Sequence, residues 1–295
     1  MWPVILFIIG LALGSFLNVA ALRYRDGAGL FSGKRLGGRS HCPHCGAALA
    51  WHELLPLISF FVQRGHCRHC GAAISWQYPF VEIVGGLIFL IPVFFYYFFE
   101  ISRHATMGDL LVWYYWLAAA WVLAGLLMLL LAVIDWRTYT IPDETSAGIA
   151  LLGLLIAALK WHYHDLIGWQ VSFLKEYALM GDFGFGIFTG HLIAAFAGII
   201  FFGGVYLVTG GRGIGFGDVK LAGALGLLLG WPDALLAFAL AFIAGALVSL
   251  ALLALGRKTM KESIPFGPFL IAGTFLTMLF GHALSKGYFN LFGVF

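Results

Sequence analysis

The chain has 295 residues, 61% of them hydrophobic and 11% charged, with a mean hydropathy of +0.93 and a net charge of +3. A water-soluble domain carries about 25% charged residues, so a soluble globular fold is excluded. The apolar residues fall in runs of about 20 between short charged loops, and no period-two alternation suggests a membrane β-barrel. A span in lipid must satisfy its own backbone hydrogen bonds, so the predicted class is an all-α polytopic membrane protein of about eight helices.

The first span is predicted at residues 2–22. Ala20-Ala21 is a weak processing site, but no basic residue precedes the run while Arg23 and Arg25 follow it, so the segment reads as a retained helix. Asn18 is either an interhelical hydrogen-bonding residue or part of a site. Residues 23–79 form a polar loop that holds all four cysteines. Cys42-Pro43-His44-Cys45 and Cys67-Arg68-His69-Cys70 are C-x2-C knuckles about 20 residues apart, each followed by a glycine (Gly46, Gly71). Each knuckle sets two thiolates on one side of a tight turn, so Cys42, Cys45, Cys67 and Cys70 complete a tetrahedral structural zinc site. A closed four-thiolate site leaves no position for substrate, so the metal folds this small loop domain. A disulfide or redox pair competes with that reading, and the predicted cytoplasmic location argues against it. His41, His44, His66 and His69 read as solvated neighbours.

Residues 80–295 read as a compact bundle, with further spans at 80–99, 111–134, 146–161, 184–209, 217–231, 234–255 and 266–285. Gly85-Gly86 and Gly203-Gly204 are expected at close helix contacts. The stretch 162–183, with Trp161, His162, His164 and Trp169 in and beside it, reads as an interfacial segment. Trp231-Pro232-Asp233 is a tight turn. Basic residues crowd the first loop (Arg23, Arg25, Lys34, Arg35, Arg39, Arg64, Arg68), then recur at Arg137, Arg212, Lys220, Arg257, Lys258 and Lys261. The other side has Arg103, Lys160, Lys175 and Lys286. This bias predicts that the first, third, fifth and seventh loops are cytoplasmic and both termini outside. It also accounts for the net charge without a nucleic-acid partner.

Two aspartates stand at the same predicted membrane face. Asp135 ends the run 111–134, where a helix C-terminus disfavours an anion. Asp218 follows Gly213-Ile214-Gly215-Phe216-Gly217, whose glycines permit close backbone approach and leave room for an extended peptide. An ionisable residue at a span is expensive and points to function. Two carboxylates together share a proton: one takes a proton from water while the other polarises a scissile carbonyl. The pair would titrate as one coupled unit. Asp143, after Pro142, reads as a helix-start residue, and Lys220 as a positive-inside anchor; with Gly215 and Gly217 they are the supporting residues. Neither an H-E-x-x-H helix nor a Ser/His or Cys/His set is apparent.

Together these motifs resemble the type IV prepilin leader peptidase/N-methyltransferase family. The resemblance is carried by Gly14-Ser15-Phe16-Leu17-Asn18-Val19, the two knuckles, Tyr78-Pro79-Phe80-Val81-Glu82, the segments Asp135 to Asp143 and Gly215 to Lys220, and Ile264-Pro265-Phe266-Gly267-Pro268. It implies an inner-membrane aspartic protease with catalytic Asp135 and Asp218, acting at the cytoplasmic face on type IV prepilins or type II secretion pseudopilins. Cleavage would follow a glycine, and the new amino terminus, often Phe, would be methylated with S-adenosylmethionine. Glu53 and Glu82 are the candidate cofactor-side residues, with a helix cap or an ion pair with a loop arginine as the equal alternative. The chain departs from the family pattern at Leu54, where Asn is usual, and at Gln77, where Arg is usual. Both departures fall in the loop associated with methylation.

Two other readings compete. A presenilin-like protease would carry Pro-Ala-Leu near its last span, where this chain has Ile264-Pro265-Phe266. A proton-coupled transporter with a zinc-stabilised loop would place its carboxylates near the midplane in paired repeats, and no repeat is evident.

Overall fold

The computed structural model describes residues 1–24, 38–98, 108–162, 172–180, 184, 186–257, 259 and 262–293. Its helices are α1 (Trp2–Arg23), the short α2 (Ile58–Val62), α3 (Gln77–Ile88), α4 (Ile91–Phe98), α5 (Gly108–Thr138), α6 (Asp143–His162), α7 (Ile187–Thr209), α8 (Phe216–Leu229), α9 (Asp233–Ala254) and α10 (Gly267–Leu291). Among the described residues the only strand-like pairings are two isolated bridges in the cysteine loop. The fold is an all-α, multi-pass membrane protein.

Among the described residues, seven segments are long and apolar enough to cross a bilayer: α1, α3 with α4, α5, α6, α7, α9 and α10. The sixth predicted span behaves differently. Helix α8 has 14 residues, about 21 Å of rise against a hydrocarbon core of about 30 Å. It is largely buried between α6 and α7, with Lys220 and Leu227 the part-exposed positions from Asp218 to Leu229. The predicted span 80–99 is interrupted between Ile88 and Ile91, where Pro92 opens a new helix and has no N–H to give to the old one. Helix α5 continues a turn beyond residue 134, so Asp135 lies inside the helix. Helix α6 starts at Asp143, directly after Pro142.

The interfacial reading of 162–183 needs correction. His164 and Trp169 lie outside the described residues. Phe173, Leu174 and Tyr177, however, are buried, and Phe173 packs edge-on against Trp121 of α5 at 5.3 Å. Aromatic packing and a backbone hydrogen bond from Phe173 N–H to Asp233 (3.2 Å) draw this part into the bundle.

Small residues decide how closely the helices approach. A Cβ on Gly10 would stand 2.5 Å from the Gly85 carbonyl, and one on Gly85 2.7 Å from the Gly10 carbonyl, so α1 and α3 touch backbone to backbone as expected. The expectation at Gly203-Gly204 is not met. A Cβ on Gly204 meets nothing within 4 Å, and one on Gly203 only the Val219 side chain at 3.7 Å. The branched Val219 holds α7 and α8 apart at that level. Their close contact lies farther along, where a Cβ on Gly226 would stand 2.6 Å from the Ala194 backbone. On the other flank, a Cβ on Gly153 of α6 would stand 2.6 Å from the Leu227 backbone.

Gly85→Val should force α1 and α3 apart and destabilise the protein by about 1–3 kcal/mol, read as a lower melting temperature in detergent. Gly204→Ala should leave it unchanged. Equal stability of the two variants would contradict the backbone contact.

Candidate active site

The two knuckles have the same geometry. Cys42 N–H donates to Ala47 O (2.9 Å) and Gly46 N–H to Cys42 O (2.9 Å), and Cys67 N–H donates to Ala72 O (2.8 Å) and Gly71 N–H to Cys67 O (2.9 Å). Gly46 and Gly71 both take φ of 71°, the left-handed region that glycine enters without strain. The four sulfurs lie within 4.8 Å of one another, and Cys42 Sγ and Cys70 Sγ are 3.9 Å apart with no disulfide among them. Zinc–sulfur bonds of about 2.3 Å in a tetrahedron set sulfurs about 3.8 Å apart, so the spacing fits a four-thiolate metal ion. The N–H groups of Cys45 and His44 push the Cys42 thiol down to about 6. At Cys70 the Ala72 N–H works the other way, but burial and the Cys45, Cys67 and Cys42 thiols push it up to about 11. The Cys42 thiolate forms readily and the Cys70 thiol resists, a charge conflict that a divalent cation removes. No histidine belongs to this cluster among the described residues.

Asp135 and Asp218 come from opposite helix ends, in the last turn of α5 and the first turn of α8, and both are buried. Asp218 Oδ2 accepts the Gly215 N–H at 2.9 Å, so its carboxylate folds back over the start of its own helix. The other contacts converge on Ile141 in the α5–α6 loop. A Cβ on Gly217 would stand 3.1 Å from Ile141 Cβ, and one on Gly267 3.4 Å from Ile141 Cδ1 and 2.6 Å from Asp135 Oδ2. The glycine before one aspartate and the glycine over the other therefore share one neighbour. The Asp218 charge acts directly on Asp135. Asp135 Oδ2 is buried without a well-formed hydrogen bond, and the Gly267 N–H is the backbone donor nearest the carboxyl. Such an oxygen is costly in a folded chain and needs an explanation beyond packing.

Asp143 stands outside this pair. It opens α6, is exposed, and forms an ion pair with Lys220 of α8. Lys220, expected as a free anchor, thus ties the starts of α6 and α8 together, a contact of small energy at this exposure. Glu53 Oε2 accepts the Ala50 N–H at 2.8 Å. That bond, with the Arg68 guanidinium and the His69 and His52 rings nearby, holds its carboxyl below the usual range. Glu53 Oε1 is buried without a hydrogen bond, 3.8 Å from His69 Nε2. Glu82 Oε2 accepts the Leu57 N–H at 2.8 Å and its side chain bonds Ser15. Asn18 bridges α1 and α3, donating to Tyr78 O (3.2 Å) and accepting from Gln77 Nε2 (3.3 Å). The unusual Gln77 therefore has a partner of its own.

Sequence reasoning missed Ile141 and the placement of Gly267, because nothing local announces which side chain fills the space between two distant glycines. It also missed a second buried cluster, Lys160, His191 and Asp233. Its available signal was a lysine and an aspartate flanking apolar runs.

Fold and site together define a multi-pass helical membrane protein that gathers two carboxylates at one end of its bundle and four cysteines in a loop. The model of the type IV leader peptidase family matches residues 121–250, and that of the bacterial peptidase A24 N-terminal domain matches residues 8–97. The chain belongs to the type IV leader peptidase family. Proteins called prepilin leader peptidase/N-methyltransferase are similar to it over most of its length. The one from Bacillus subtilis (strain 168) is 30% identical over 287 residues, covering 97% of this chain and 98% of the relative. That from Burkholderia pseudomallei (strain 1026b) is 31% identical over 245 residues, covering 82% and 67%. That from Aeromonas hydrophila is 28% identical over 307 residues, covering 98% and 94%. No solved structure matches the chain at a significant level. The chain is an enzyme, a protease with methyltransferase activity.

Gly267→Ala puts a methyl group against the Asp135 carboxylate and should lower the proteolytic rate by at least tenfold, the scale of a small misplacement at a reacting group. Gly287→Ala, with nothing within 4 Å of the new carbon, should match the unsubstituted enzyme. A fully active Gly267→Ala protein would contradict this placement.

Proposed function

We propose that this chain removes the leader from type IV prepilins or type II secretion pseudopilins at the cytoplasmic face of the bacterial inner membrane, then methylates the new amino terminus. The observation that carries the proteolytic half is the convergence of two buried carboxylates from α5 and α8, one with an oxygen that lacks a well-formed hydrogen bond. The names of the similar proteins support the substrate class.

The mechanism follows from where each carboxylate sits. Asp218 lies at a helix start and accepts a backbone N–H, an environment that suits a carboxylate. It acts as the base that takes a proton from the attacking water. Asp135 lies at a helix end and acts as the acid, donating from Oδ2 to the scissile carbonyl. The tetrahedral intermediate collapses when the amine leaves with a proton, and the shared proton is restored to the pair. Gly215 and Gly217 bring no side chain of their own beside Asp218, which leaves their backbone open to an extended peptide. The Asp143–Lys220 pair holds the starts of α6 and α8 in register.

The three-part division of the chain into residues 1–22, 23–79 and 80–295 assigns methylation to the loop and proteolysis to the bundle. Zinc, held by Cys42, Cys45, Cys67 and Cys70, fixes the loop's fold. S-adenosylmethionine, when bound, supplies the methyl group. Glu53 fits as a contact for its ammonium or ribose hydroxyls through the unbonded Oε1. Glu82 is committed to Leu57 and Ser15 and fits a role in loop placement. The loop lies beside the proteolytic end. Arg23 donates to Arg39 O at 3.2 Å, Arg137 donates to Ala21 O at 3.4 Å, and Tyr78 lies within electrostatic reach of both Arg137 and Cys42. A freshly cut amino terminus thus has a short way to travel.

Asp135→Asn and Asp218→Asn should each abolish processing of a co-expressed prepilin at unchanged protein level, whereas Asp143→Asn should retain much of it. Full cleavage by either of the first two, or none by the third, would reassign the carboxylates. Metal analysis of purified protein should find about one zinc per chain, and Cys42→Ser should lose it. Retention of the ion and of the loop fold in that variant would rule out the four-thiolate site. The direct test of the whole function is incubation with a prepilin and labelled S-adenosylmethionine. The product should lose its leader and gain one methyl.

A further inference from the structure

The far end of the bundle holds a buried polar cluster that the reaction at Asp135 and Asp218 does not use. Lys160 of α6, His191 of α7 and Asp233 of α9 are 5%, 4% and 2% exposed. Lys160 Nζ donates to the Leu229 carbonyl at 3.4 Å, and its charge acts on Asp233. His191 Nδ1 lies 2.6 Å from the Leu227 carbonyl, which only accepts, so the imidazole donates from that nitrogen. Asp233 accepts from the Ser172 hydroxyl at 2.6 Å and the Phe173 N–H at 3.2 Å.

These contacts meet at the end of α8. The last four carbonyls of a helix lack intrahelical donors. Helix α8 is buried through its last turn, with Leu228 and Leu229 closed off by neighbouring helices, so its final carbonyls rely on donors from the protein. Gly226 O takes the Gly230 N–H at 2.9 Å, His191 serves Leu227, and Lys160 serves Leu229. A cation at this end also suits the helix dipole, and Asp233 balances its charge. The donors reach in from both helices that flank α8.

Asp218 occupies the other end of the same short rod. The rod is gripped by backbone-level contacts at Gly153 with Leu227 and at Gly226 with Ala194, and a close-packed helix of this kind shifts as a body. Displacing its end therefore displaces Asp218. We propose that Lys160, together with His191 and Asp233, is a positioning cluster that fixes α8 along its axis and so sets Asp218 against Asp135. The inference rests on the reading of Asp218 as catalytic.

The test uses full-length protein in lipid nanodiscs and two assays: cleavage of a prepilin, and methylation of a pilin peptide supplied already cut. Lys160→Met should lower kcat for cleavage on the order of 10- to 100-fold, the scale of a misplacement near 1 Å. KM should hold, and methylation should stay within about twofold, because the peptide bypasses the carboxylate pair. Lys160→Arg, which keeps the cation and its donors, should recover most of the cleavage rate. If Lys160→Met does not fold, Lys160→Met/Asp233→Asn removes both buried charges and should show the same loss confined to cleavage. Unaltered cleavage in whichever variant folds would overturn the proposal. So would a parallel fall of cleavage and methylation, which marks general destabilisation. Failure of the unsubstituted enzyme to cut any prepilin would instead remove the functional reading beneath it.

Discussion

A charged or hydrogen-bonding group inside a bilayer-sized bundle must find its partner within the protein, and the short helix α8 is where this constraint bears hardest. Its start carries a buried carboxylate bonded to its own N-cap backbone, and its end presents carbonyls that neighbouring helices must satisfy. Shortness turns α8 into an internal strut, and the rest of the bundle is arranged to hold it. Helices α6 and α7 grip it through glycine contacts, α5 delivers the second carboxylate, and Ile141 of the α5–α6 loop packs against both Gly217 and Gly267.

Glycine does two different jobs here. At Gly10, Gly85, Gly153 and Gly226 it lets backbones touch, which fixes helix spacing. At Gly217 and Gly267 it lets neighbours close in beside the carboxylates, Ile141 against both glycines and Asp135 Oδ2 against Gly267. The cysteine loop reaches the same end of the bundle through Arg23 and Arg137. This proximity gives a physical reason for one chain to join cleavage with methylation, since the second reaction acts on the amine that the first releases.

Much of this was legible in the sequence because the signals were local. Length and polarity gave the spans, C-x2-C spacing gave the sulfur cluster, and the two aspartates stood out as charges at the ends of apolar runs. What escaped depended on pairings far apart in the chain. Lys220 reads as an interface anchor from the sequence, which does not reveal its pairing with Asp143 of another helix. Gly203-Gly204 looked like a contact site, yet the facing residue is the branched Val219. The stretch after residue 162 looked interfacial from its tryptophans and histidines, whereas Phe173 and Asp233 draw part of it inward. The run 217–231 holds a 14-residue helix, and hydropathy does not record that it ends early and is wrapped by others.

The central claim is that Asp135 and Asp218 act as one chemical unit. Residual cleavage rates of the Asp135→Asn/Asp218→Asn double variant, set beside those of the single variants on purified protein, test it most directly. Groups that share one step are strongly non-additive, so the double variant should be no slower than the slower single variant. Multiplying losses, with each substitution slowing the reaction independently of the other, would contradict the account.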